Sequence, residues 1–177
     1  VAAAVAWRRL RPTPLPTLGR LPAFTLTSQH GAPYGLASLR GHVWVADFFF
    51  TSCPSMCPRM TRQMAEIQSR LRESGDAVRL VSFSVDPEVD TPQRLRDYAA
   101  RYGAGERWVF LTGPTPEIKR VSEQGFRLAM GDAPAAANRA PEVDIVHGGY
   151  FILIDRDAQI RGYYRNDEEG LASIVRD

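Results

Sequence analysis

Val43-Trp44-Val45-Ala46-Asp47-Phe48-Phe49-Phe50-Thr51-Ser52-Cys53-Pro54-Ser55-Met56-Cys57-Pro58 is the stretch from which the rest of the chain can be read. Its first half is almost continuously apolar, as in a strand buried on both faces. Its second half turns, through two prolines, into residues 59–72, where Met60, Met64, Ile67 and Leu71 recur at three- and four-residue intervals. That spacing is the inner stripe of an amphipathic helix. The chain has only two cysteines, and both stand at this strand-to-helix junction. Two thiols so placed point to chemistry.

Working outward, 177 residues suffice for one full core and are short for two. The 44% hydrophobic and 24% charged content is that of a globular chain, and a net charge of +2 with no basic cluster among aromatics argues against a nucleic-acid partner. Residues 1–7 form an Ala/Val run ending at Arg8-Arg9, far short of the roughly 20 residues that span a bilayer. They read either as the outer end of a membrane anchor whose beginning is missing or as a frayed tail. Residues 1–20 are therefore expected to be a tail or linker, and residues 21–177 the domain. An anchored domain would stand on the periplasmic side of the membrane, where thiols can oxidise.

Phe24-Thr25-Leu26-Thr27, a turn at 28–35 and Leu36-Ala37-Ser38-Leu39 predict an N-terminal β-hairpin. After the cysteine turn and its helix, residues 78–85 predict a second buried strand. Thr91 and Pro92 are then placed as N-cap and first residue of another helix. Residues 108–112 predict a strand, 116–125 a helix, 131–142 an exposed loop, 150–154 and 159–164 a hairpin, and 167–175 a closing helix. Strands alternating with helices, then a hairpin and helix, define an α/β class. The order is that of a thioredoxin-like fold: a central mixed sheet flanked by helices, with the N-terminal hairpin added in front.

Cys53 and Cys57 are at a spacing that permits a disulfide and equally permits two thiolates to converge on one metal ion. The start of a helix favours thiolate over thiol. A thiolate pair suits Cu(I) or Zn, and either metal needs a further ligand. Of the three histidines, His30 lies in a hairpin tip, and His42 is a strand's length from Cys53. His147, just ahead of a central strand and beside two glycines, is expected to face the cysteine turn. Met56 is a possible thioether partner, whereas Met60 and Met64 read as core.

The residues from Phe50 to Pro58, the run Ser84-Val85-Asp86-Pro87-Glu88-Val89-Asp90-Thr91-Pro92, and a His leading into Tyr150-Phe151-Ile152-Leu153-Ile154-Asp155 together resemble the Sco family, also called SenC or PrrC. The resemblance covers residues 21–177. It implies a membrane-anchored, thioredoxin-like metallochaperone that binds one copper ion, Cu(I) or Cu(II), through Cys53, Cys57 and His147. It also implies a role in assembling the dinuclear copper centre of cytochrome c oxidase, with an oxidase subunit or another cuproprotein as the copper-receiving partner. A thiol–disulfide reductant would be a second partner. Asp86 and Asp90 gain a supporting role near the metal or in docking, though Asp90-Thr91-Pro92 is also ordinary helix-start chemistry. The chain departs from the family where Val146 precedes His147 and Gly148-Gly149 follow it, in place of polar neighbours.

The alternative is a thiol–disulfide oxidoreductase in which Cys53 and Cys57 are the redox-active, catalytic pair. A thiol peroxidase would need Thr51 one residue further from Cys53. A purely structural disulfide would close too short a loop to add much stability.

Overall fold

The computed structural model describes residues 14–130 and 149–177. Its strands are β1 (Gly19–Arg20), β2 (Thr25–Ser28), β3 (Pro33–Gly35), β4 (Val43–Phe49), β5 (Val78–Ser84), β6 (Trp108–Thr112), β7 (Tyr150–Ile154) and β8 (Gln159–Arg165). The helices are α1 (Leu36–Leu39), α2 (Met56–Arg70), α3 (Pro92–Arg101), α4 (Thr115–Arg120) and α5 (Glu168–Arg176). All strands join one sheet in the order β1-β8-β7-β4-β5-β6-β2-β3. β4, β5 and β6 are parallel, and β7, β8, β1 and the β2–β3 hairpin add antiparallel pairs. The expected mixed sheet with helices on both faces is what the chain builds.

Alternation along β4 divides the core. Trp44, Ala46 and Phe48 pack on one face with Leu36 and Leu39 of α1 and Ile118 of α4. Val45 and Phe49 pack on the other with Met60, Met64 and Ile67 of α2, Leu95 and Tyr98 of α3, and Leu171 and Ile174 of α5. The apolar stripe read from the sequence is thus the buried stripe of α2. Each such side chain contributes roughly 1.5–3 kcal/mol on leaving water.

Two details differ from expectation. Leu36–Leu39 is a single helical turn rather than the second limb of a hairpin, because two leucines three apart both reach the core from one helical face. The strand stops at Gly35, where any Cβ would collide with the Phe24 carbonyl. In addition, residues 15–21 run along β8: the Leu18 N–H donates to the Ile160 carbonyl at 2.8 Å and the Leu21 N–H to Ala158 at 2.9 Å. Arg161 holds the Pro16 carbonyl at 3.0 Å, and the Leu15 carbonyl as well.

Candidate functional site

The parallel strands β4 and β5 end together, with Phe49 level with Ser84. β7 runs the other way, with Ile152 opposite Ala46. Its first residues therefore lie at the end where β4 stops, so the turn after β4, the loop after β5 and the backbone entering β7 meet at one end of the sheet. Cys53, Asp86, Asp90 and Gly149 belong to those three segments.

α2 begins at Met56, placing Cys57 in its first turn and Cys53 just ahead of it. Ser55 makes no side-chain cap. The Cys57 N–H instead donates to Cys53 Sγ at 3.3 Å, so the sulfur takes the place a capping oxygen usually fills. Both thiols are free; Cys53 is half-buried and Cys57 buried. Burial is the largest influence on the Cys53 thiol and pushes its pKa up. The N–H groups of Cys57, Ser55 and Met56, with the Cys57 thiol, together outweigh it and hold Cys53 below the ordinary cysteine value. For Cys57 burial dominates and pushes the thiol up to about 12, aided by Cys53 and Asp47 and only partly offset by a hydrogen bond that its sulfur accepts from the Phe50 backbone. One sulfur is accessible and prone to ionise; the other is protected and protonated.

The turn is held from the β5 side. Asp90, wholly buried, accepts the Thr51 N–H at 3.0 Å on Oδ2 and the Thr51 hydroxyl on Oδ1. The Ser84 hydroxyl donates to Asp90 Oδ2 at 2.6 Å, and Arg94 Nε donates to Thr51 Oγ1 at 2.6 Å. Asp90 thus braces a residue two places before Cys53. Thr51, occupied on both sides, has no hydroxyl proton left to aim at a peroxide. Asp86 acts through its backbone: its carbonyl accepts the Asp90 N–H at 2.8 Å, and its N–H donates to Ser84 Oγ at 3.1 Å.

Met56 is half-buried and, like Phe50 and Cys53, packs against the cluster that holds Cys57. Its Sδ lies 3.0 Å from where a Cβ on Gly149 would stand, and Gly149 has a φ of +58°. Glycine is favoured there by conformation, and a Cβ would meet the Asn166 side-chain amide first and this sulfur next. His147 lies outside the described residues, and among those described no third His, Cys, Asp or Glu joins the two thiols. His30 is exposed in the β2–β3 turn, and His42 precedes β4 at the end of the sheet away from Cys53.

One acidic side chain under the site went unread in the sequence. Asp47 alternates with Val45 and Phe49, so it faces the layer that contains Cys57, Met60 and Met64. Its carboxyl is fully buried and Oδ1 has no hydrogen-bond partner among the described residues. Burial raises its pKa to about 7, against the lowering effect of hydrogen bonds from Ser82 and its own backbone. Trp108 Nε1 donates to Ser82 Oγ at 2.9 Å, which leaves the Ser82 hydroxyl free to donate to Asp47. The signal was a single acid inside a run of apolar strand residues.

Known proteins share this fold. A structure of a SCO1/SenC family lipoprotein from Bacillus anthracis is 32% identical, with a TM-score of 0.79, over 93% of this chain and 96% of that one. BsSco, described as a Sco-family cytochrome c oxidase assembly protein with a disulfide switch, is 34% identical, with a TM-score of 0.77, over 92% and 94% of the two chains. ScoI of Bradyrhizobium japonicum, solved with copper bound, is 25% identical, with a TM-score of 0.70, over 89% and 98%. The family model described as SCO1/SenC matches residues 17–176. By that match, and by the thiol turn and acidic brace that the matched residues build, the chain belongs to the SCO1/SenC family.

Proposed function

We propose that the chain is a copper metallochaperone that holds one copper ion on Cys53, Cys57 and His147 and delivers it during assembly of the dinuclear copper centre of cytochrome c oxidase. The observation that carries the reading is the thiol pair itself: two free sulfurs at the start of α2, one accessible and one buried, in a turn braced by Asp90. Soft thiolates supply the affinity for copper, and an imidazole suits Cu(II) as third donor. Gly149 supports the role of His147, because it lies against Met56 in the thiol turn and His147 is two positions away along the chain, a span of at most about 7 Å. The relative with copper bound and the relative described as an oxidase assembly protein support the same reading. The lipoprotein relative supports anchoring to a membrane, and the reading places the domain on its periplasmic side. No helix among the described residues is long and apolar enough to cross a membrane.

The contrast between the two thiols favours a second role on the same atoms. Cys53 thiolate attacks a partner's disulfide, one partner sulfur leaves as thiolate, and Cys57, once deprotonated, displaces the other to leave a Cys53–Cys57 disulfide. The partner is reduced by two electrons and the pair oxidised by two. A reductant must then restore the thiols.

Titration of the reduced chain with Cu(II), followed by thiolate-to-copper charge-transfer absorption, tests the reading. One equivalent should saturate the band, Cys53→Ala and Cys57→Ala should abolish it, and His147→Ala should remove or strongly shift it. A normal band in His147→Ala refutes the three-ligand site. Reduction of insulin disulfides at the pace of a thioredoxin, with no copper band, would leave the thiol-exchange role alone.

A further inference from the structure

We propose that a basic cavity at the end of the sheet away from the thiols binds an organic phosphate, the phosphate group held by arginines and a small apolar body lying against α3.

The cavity has a volume of about 490 Å³, within the range of small-molecule sites. It opens where β2 leaves the sheet at Ser28, between the β2–β3 turn, α3 and the first residues of β5 and β6. Val43 is level with Val78 and Leu80 with Trp108, so this is the end at which β4 begins, a strand's length from Cys53. Its floor is closed. Past Ser28 the Gln29 N–H donates to the Phe110 carbonyl at 2.9 Å, Gln29 Oε1 accepts the Phe110 N–H at 2.9 Å, and Gln29 Nε2 donates to the Trp108 carbonyl at 3.4 Å. One buried residue therefore takes the ladder positions that a further strand would need, and an extended peptide finds no edge of β6 to pair with here. That leaves the side chains of the walls to select the ligand.

The walls are cationic. Arg79, Arg96 and Arg107 line the cavity with His30 and Tyr34, and Glu106 is the one acid among the described lining residues. Three guanidiniums against one carboxylate leave a net charge of +2 with the imidazole neutral. Arg79 and Arg107 are half-buried, where water screens their charge less than in the open. Arg79 is close enough to Tyr34 to favour its phenolate, against the burial that raises the phenol's pKa. Arg96 is exposed and stands at the mouth, its Nε donating to the Gln29 carbonyl at 3.3 Å. Arg107 donates to the carbonyls of Leu71 at 3.4 Å and Arg72 at 3.5 Å, and so contributes charge rather than a fork. A phosphate monoester carries about −1.5 to −2 at pH 7, which matches this wall, and planar guanidiniums suit its oxygens. A carboxylate supplies one charge only. Ala99, Ala100 and Ala104 form a shallow apolar wall against which an organic body can lie.

The test is calorimetry on the whole reduced chain with phenyl phosphate, benzoate and inorganic phosphate as probes. Phenyl phosphate should bind at one site per chain. Benzoate and inorganic phosphate should each bind at least about tenfold more weakly, one for want of charge and the other for want of an apolar body. Arg96→Gln, at an exposed position that does not threaten folding, should weaken phenyl phosphate about tenfold or more, the loss expected on removing a hydrogen bond to a charged group. Arg79→Gln should do the same, while the Cu(II) charge-transfer band and Cys53 alkylation stay as in the wild type, since the thiols stand at the other end. Phosphatidylcholine vesicles doped with phosphatidic acid separate the two sources of such a group: retention that phenyl phosphate competes away assigns a lipid headgroup, and no retention assigns a free solute. No binding of phenyl phosphate at millimolar concentration, equal affinity for benzoate or inorganic phosphate, or unchanged affinity in either arginine variant overturns the proposal.

Discussion

Asp47 shows how one side chain links strand pattern to chemistry. It occupies a position that alternation assigns to the layer beneath the thiols, with one oxygen unpaired. Its folded pKa of about 7 lies above the unfolded value of 3.8, so the folded chain binds this proton more tightly than the unfolded chain between those limits. Its contribution is fully present at acid pH and is lost as pH rises toward 7, by up to about 4 kcal/mol. Denaturant unfolding across that range should show the loss in wild type and not in Asp47→Asn. The two cysteines should part company by rate. Near neutral pH iodoacetamide should modify Cys53 first, with native Cys57 about a hundredfold slower or more, as mass spectrometry of digests would show. Both cysteines and Asp90 stood out in the sequence because they lie in short motifs, but the contact of Asp90 with Thr51, 39 residues away, did not. The partnership of Asp47 did not either, because a continuous apolar run tells that a strand is buried without telling what lies opposite each residue. The expected convergence of His147 on the thiols falls outside the described residues.

At the scale of elements, α2 and α3 show two ways of starting a helix, and the difference bears on the site. α3 begins conventionally: Thr91 Oγ1 accepts the Arg94 N–H at 3.3 Å, with Pro92 at the first helical position. Thr91→Ala should cost about 1 kcal/mol in a denaturant titration, leaving the thiols unaffected. α2 instead uses a cysteine sulfur where a cap would stand, trading some helix stability for a polarised thiol. The link between the two is Asp90. Asp90→Ala leaves the Thr51 N–H and the Ser84 hydroxyl without their acceptor, at about 1–3 kcal/mol each. It should lower the unfolding midpoint and also speed Cys53 alkylation, as its turn loosens. Long periodic elements such as α2 were legible because many residues repeat the same message. Leu36–Leu39 was not, since four residues with apolar ends fit a strand or a helical turn equally well until packing decides.

Across the whole molecule, the first described residues belong to the sheet rather than trailing from it. Arg161 fastens Leu15 and Pro16, and the chain then pairs with β8 as far as Leu21. Arg161→Ala should accelerate hydrogen exchange at the Leu18 and Leu21 amides while the amides of β4 and β5 stay protected, since local opening there does not require the core to unfold. The order of strands carries one further implication. The sheet's outermost members are β1, two residues long, and β3, three residues long and beginning with Pro33, which has no N–H to offer. Copies packed side by side on one surface therefore find almost no vacant ladder on each other's flanks, and crowding gives them little means of polymerising through their backbones.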